Sequence, residues 1–133
     1  MTLIFCVDNN FGLMFNKRRQ SRDSAVLEDI KNCFAGEKIY ISQYSEKLFS
    51  DVGVDYTVCD NFTKCNGICF VEDKYSPDLL TVTDEVILYH WGKVYPADTK
   101  FDAELLGANF ALVEQSVFKG TSHSEIKKER YAR

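Results

Sequence analysis

A chain of 133 residues, 45% apolar and 27% charged, is long enough for one domain with a packed core and too short for two. Its formal net charge of −4 excludes general nucleic-acid binding, which needs a basic surface, and no apolar run reaches the ~18 residues of a membrane-spanning helix. Two Pro, seven Gly and no repeat leave an ordinary globular composition, to which ten Phe and seven Tyr add bulky packing groups.

Met1 to Asp8 lacks the basic start and small-residue cleavage site of a leader. Its continuous apolar run, Leu3 to Val7, instead predicts a first strand buried on both faces, ended by Asp8-Asn9-Asn10. A long loop is expected from Gly12 through Asn16 to Arg22. Asp23 or Ser24 can cap the helix that follows, because Val26, Leu27, Ile30, Cys33 and Phe34 recur at helical spacing and Gly36 stops it. Lys38 to Ile41 reads as a short strand and Ser45 to Phe49 as a helical segment. Tyr56 to Cys59 and Ile68 to Val71 are two further short strands, separated by the polar stretch Asp60 to Gly67. Ser76-Pro77-Asp78 can open a short helix. Glu85 to Trp91 is the clearest later strand. Phe110 to Phe118 alternates in part, with Phe110, Leu112, Glu114, Ser116 and Phe118 on one face, and a last strand lies near Tyr131. Strands alternate with helices early and follow one another late, which predicts a mixed sheet with parallel crossovers first and an antiparallel hairpin at the end.

The five cysteines are odd in number and lack framework spacing, so free thiols in a reducing cytoplasm are expected. Cys59, Cys65 and Cys69 do not form the close pairs of a zinc ribbon, and no metal site is expected. His90 belongs to the late strand and is expected to be buried and hydrogen-bonded. His123 sits in Gly120-Thr121-Ser122-His123-Ser124, near the tip of the closing hairpin. Its neighbour Ser122 makes no nucleophile pair with it by adjacency alone, since catalytic partners must meet in space. The segment Asn16-Lys17-Arg18-Arg19-Gln20-Ser21-Arg22-Asp23 concentrates four basic residues in an acidic protein. Arg offers paired donors suited to phosphate or carboxylate, so this segment is the foremost candidate site; otherwise it is a solvated surface loop.

Two stretches, taken with the order of elements, resemble dihydrofolate reductases. The first runs from Leu3-Ile4-Phe5-Cys6-Val7-Asp8 through Gly12 to Asn16: an apolar strand, an Asp/Asn turn, an apolar-Gly-apolar step and an Asn. The second is Val86-Ile87-Leu88-Tyr89-His90-Trp91, followed by Pro96-Ala97-Asp98-Thr99-Lys100-Phe101, and the chain ends in Tyr131-Ala132-Arg133. The resemblance implies an α/β, dihydrofolate reductase-like sandwich over residues 1–133, a central mixed sheet with flanking helices, and a ligand cleft covered by the basic loop.

It also implies functional positions that this chain fills differently. Where the family has a Gly-Arg-x-Thr phosphate turn stand Ser42-Gln43-Tyr44-Ser45. Where it has a Gly-Gly pair that lets backbone approach the cofactor pyrophosphate stand Glu72-Asp73, two carboxylates expected to repel a diphosphate. The pterin-holding carboxylate at the start of the first long helix falls, by counting, near Ala25 or Val26. Asp23 is the nearest catalytic candidate, with an N-cap as its competing role, and Asp29 reads as a solvated helix position.

Three functions follow as expectations. The first is a binding protein for a small anionic or nucleotide-like ligand, with Asn16, Arg18, Arg19, Arg22, Tyr44 and Ser45 as binding residues, no cofactor, and reductase chemistry lost. The second is a surviving NADPH-dependent dihydrofolate or pterin reductase. The third is a non-catalytic interaction protein with a closed cleft. Neither nucleic acid nor membrane is expected as a partner.

Overall fold

The first strand dictates the architecture. In the computed structural model, which describes residues 1–133, β1 (Thr2–Val7) sends Leu3, Phe5 and Val7 into one apolar cluster and Ile4 into another. Side chains alternate across a strand, so an unbroken apolar run requires cover on both sides. β1 obtains it as the middle member of a seven-stranded sheet. The order is β5 (Tyr56–Val58), β4 (Ile39–Ile41), β6 (Ile68–Phe70), β1, β7 (Glu85–His90), β10 (Ile126–Ala132), β9 (Ala111–Phe118). β5, β4, β6, β1 and β7 run parallel to one another, and β10 runs antiparallel to both β7 and β9. This is the mixed sheet with a closing antiparallel hairpin that the order of elements predicts.

One face is covered by α1 (Ser24–Cys33) and α2 (Glu46–Phe49), which pack Val26, Leu27, Ile30, Leu48 and Phe49 against Ile4, Phe70 and Tyr89. The other is covered by the 3-10 segment Pro77–Thr81, by α3 (Ala103–Asn109) and by Leu13, Met14 and Phe101. α1 starts where Asp23 caps it, accepting the Ala25 N–H at 2.9 Å. Beyond its end Gly36 takes φ +82°, a conformation that costs glycine nothing.

Several expectations need correction. The long loop from Gly12 to Arg22 is a β-hairpin, β2 (Gly12–Phe15) against β3 (Arg18–Arg19), and β8 (Thr99–Lys100) joins β2 to complete a small second sheet. Asn16 and Lys17 form its two-residue turn at φ +51° and +62°. Positive φ at both turn residues matches the twist of the flanking strands. α3 has no counterpart among the predicted elements: it is seven residues long, buries only Leu106, and is held by Asp102 accepting the Leu105 N–H at 2.9 Å. The alternation from Phe110 to Phe118 does not track burial, because β9 is the sheet edge and Leu112, Val113 and Val117 are half exposed. The cysteines are not all free. The 3-10 turn Phe62–Lys64 folds the chain back so that Cys59 and Cys65 pair as a disulfide, leaving Cys6, Cys33 and Cys69 as thiols. No helix is long and apolar enough to cross a membrane.

Candidate functional site

Parallel strands align their carboxyl ends, and in open α/β sheets ligands bind in the crevice just beyond them. Here Asp8, Ser42, Val71-Glu72 and Trp91 follow the ends of β1, β4, β6 and β7 along one edge. The β2–β3 hairpin and the start of α1 close over that edge. Between them lies a narrow cleft whose enclosed space is about 20 Å³, room for roughly one water, and which opens to solvent at its mouth. Its walls are apolar (Leu13, Val26, Leu27, Leu48, Phe70 and Trp91), and its polar groups are Arg19, Gln20, Ser21, Arg22, Asp23 and Glu72.

The hairpin separates the basic residues. Arg19 turns inward and forms a two-pronged pair with Glu72, Nε to Oε2 at 2.8 Å and Nη2 to Oε1 at 2.9 Å. Ser45 Oγ donates to the same Glu72 at 2.7 Å, the Arg19 backbone N–H donates to Tyr44 Oη at 2.8 Å, and the guanidinium lies over the Tyr44 ring. The hydrogen-bonded partnership with Glu72 raises the Arg19 pKa further despite partial burial. Arg19, Tyr44 and Ser45 are therefore brought together, but around a protein carboxylate. Glu72 is not the bare repelling charge that its sequence position suggests, and Asp73 accepts the Ser42 hydroxyl at 2.6 Å.

The remaining sequence candidates lie elsewhere. Asn16 sits at the exposed hairpin tip, its N–H donated to Asp98 Oδ2 at 2.9 Å. Arg18 is exposed and borders a separate recess with Phe15, Asn16 and Tyr95. Arg22 is exposed at the cleft wall and, unlike Arg19, makes no ion pair.

Asp23, the nearest carboxylate to the counted position at Ala25 or Val26, is buried at the start of the first long helix, beside the cleft. It is both cap and anchor. Oδ1 accepts the N–H of Ala25 and of Thr121 (2.9 and 2.8 Å), and Oδ2 accepts those of Ser122 and His123 (2.9 and 3.1 Å) together with His123 Nδ1 at 2.9 Å. Burial alone would raise its pKa; these donors outweigh it and hold the group well below the usual carboxylate range. With about four lone-pair positions on a carboxylate and five donors already present, its acceptor capacity is filled from within the protein. Asp8 is held in the same way. Burial is outweighed by N–H donation from Tyr95, Gly12 and Asn10 and by the Gln20 amide, which keep the carboxylate ionised.

His123 lies in the connection of the closing hairpin, between β9 and β10, as its sequence position predicts, but with partners the sequence does not show. It is buried, stacked on Trp91 with ring centroids 4.8 Å apart, and its Nε2 faces two hydroxyls, Ser21 Oγ at 3.0 Å and Tyr95 Oη at 3.1 Å. Ser21 and Tyr95 carry no sequence signal that links them to it. Cys6 also lines the cleft, but burial, reinforced by the charge of Glu72, pushes its thiol strongly up and keeps it protonated. His90 is buried as expected and bonded to Glu129. Burial lowers its pKa more than Glu129 raises it.

No family model matches the sequence, and no curated protein matches it. Among solved structures the chain is similar to dihydrofolate reductase from Enterococcus faecalis complexed with NADP(H) and RAB-propyl. The TM-score is 0.67 at 11% identity, over 99% of this chain and 95% of that one. A likeness of this extent at this identity speaks to backbone architecture, and that architecture agrees with the one implied by the ordered motifs from Leu3 to Arg133. The chain has the dihydrofolate reductase fold, in a sequence that has diverged far from that neighbour.

Proposed function

We propose that this is a divergent dihydrofolate reductase-fold protein that binds a small anionic or nucleotide-like ligand in the cleft beside α1, without ordinary NADPH and folate chemistry. The supporting observation is the contrast between two arginines. Arg19 is neutralised by Glu72, whereas Arg22 reaches the same cleft with no carboxylate to satisfy it. An unpaired guanidinium above apolar walls suits a ligand with an anionic group on a small apolar or planar body. The reductase alternative draws support from the fold and from the NADP(H) in the Enterococcus faecalis structure. Against it stand the occupied Glu72-Asp73 turn and the saturated Asp23.

Thermal unfolding in sulfate and in NADPH separates these readings. Sulfate at tens of millimolar is expected to raise Tm by about 2–4 °C in the wild type and by clearly less in Arg22→Ala. Arg18→Ala, outside the cleft, controls for general salt effects and should behave as wild type. Millimolar NADPH should leave Tm unchanged. Equal sulfate shifts in all three proteins would remove Arg22 from the site, and stabilisation by NADPH would restore the reductase.

A further inference from the structure

The residues behind Arg22 make an arrangement that anion binding does not use. Ser21 Oγ, His123 Nε2, His123 Nδ1 and Asp23 Oδ2 lie in succession, with gaps of 3.0 Å and 2.9 Å on either side of the imidazole. This is the order nucleophile, base, orienting carboxylate, which is recognised by geometry and not by fold or chain order. We infer that Ser21 is an acyl-accepting nucleophile activated by His123, with Asp23 as the positioning residue, and that the cleft hydrolyses small carboxylic esters.

Each part has its physical basis. Asp23 is ionised and cannot rotate, because backbone N–H groups from both α1 and the 121–123 turn hold both its oxygens. Being an acceptor, it requires the proton of the neutral imidazole on Nδ1, which leaves Nε2 as the lone-pair nitrogen facing Ser21. Trp91 fixes the plane of the ring, and Ser21 is half-buried and lines the cleft. The turn can close this tightly because residue 120 is glycine: a Cβ there would stand 2.6 Å from Asp23 Oδ2 and 2.5 Å from His123 O. The other buried histidine, His90, has its carboxylate, Glu129, but no hydroxyl or thiol on the ring. Tyr95 Oη shares Nε2 with Ser21.

The chemistry balances without any cofactor. Ser21 Oγ attacks the ester carbonyl carbon while its proton passes to His123 Nε2. The tetrahedral intermediate expels the alcohol oxygen, which takes that proton and leaves an acyl ester on Ser21. Water, deprotonated by His123, then attacks the acyl carbon. The bond to Oγ breaks, Ser21 recovers a proton, and ester plus water has become acid plus alcohol.

The test is labelling of the folded protein by an alkyl fluorophosphonate, in which Oγ displaces fluoride from phosphorus, read by intact mass and peptide mapping. One adduct on Ser21 is expected, none in Ser21→Ala, and p-nitrophenyl acetate hydrolysis should fall at least about 100-fold in that variant and in His123→Ala. His123→Ala opens a cavity beside Trp91, so Ser21→Cys is the companion measurement: its new thiol should react with iodoacetamide faster than Cys33 in the same molecule. An unmodified Ser21 in folded wild type, an adduct that persists in Ser21→Ala, or a new thiol slower than Cys33 overturns the assignment. None of these readouts depends on Arg22. A chain stabilised by sulfate but unlabelled loses only the esterase, and a labelled chain insensitive to sulfate loses only the anion site.

Discussion

At the scale of single residues, Asp23 decides most. It caps α1, anchors the turn before β10 and orients His123 with one side chain that is fully buried and ionised. Asp23→Asn replaces one acceptor oxygen by a donor facing N–H groups, and is expected to lower stability by about 3 kcal/mol at pH 7. The sign of its pH dependence follows from the depressed folded pKa. A carboxylate held below its unfolded value of about 3.9 contributes its full stabilisation above that value and loses it as pH falls below. Urea unfolding of both proteins should therefore show a gap that narrows below about pH 4, and an undiminished gap at pH 3 would count against this role. Sequence reasoning saw half of it. Asp23 before an amphipathic run reads as an N-cap, whereas its partners at 121–123 lie about a hundred positions away and carry no local pattern.

At the scale of elements, legibility followed the strength of the local signal. α1 declares itself through a cap, a helical stripe and a stop at Gly36, and β1 and β7 through runs that only a doubly covered sheet accommodates. α3 was invisible because a seven-residue helix containing Gly107 and burying one leucine has almost no stripe. The β2–β3 hairpin was hidden by its turn: Asn16 is tolerant of positive φ, but Lys17 at +62° is an unusual choice. Lys17→Gly removes that strain and should raise stability by about 0.5–1 kcal/mol, while Lys17→Val should lower it by at least as much. Chemical denaturation midpoints decide this, and an unchanged midpoint in both variants would mean that the turn is not held in this form. Because Arg19 and Arg22 flank the hairpin's exit, its rigidity also keeps one guanidinium on Glu72 and the other free.

At the scale of the molecule, the sheet has one well-covered centre and one bare margin. β9 presents eight residues, nearly all exposed, with no Pro and a single charge, Glu114. Unprotected edges of this kind template pairing with other chains. Val113→Lys should change folding stability by less than about 0.5 kcal/mol and delay aggregation on heating, as followed by light scattering. Aggregation at an unaltered temperature would show that association begins elsewhere. The bond between Asp23 and the turn at 121–123 also has a meaning in time. It closes a loop of about a hundred residues, whose entropic cost falls once β1, β7 and β10 have aligned. The hydroxyl–imidazole–carboxylate row assembles only when distant parts of the chain meet. Until it does, Ser21 and Asp23 belong to one end of the polypeptide and His123 to the other, so no partly folded form of the chain can carry the reaction.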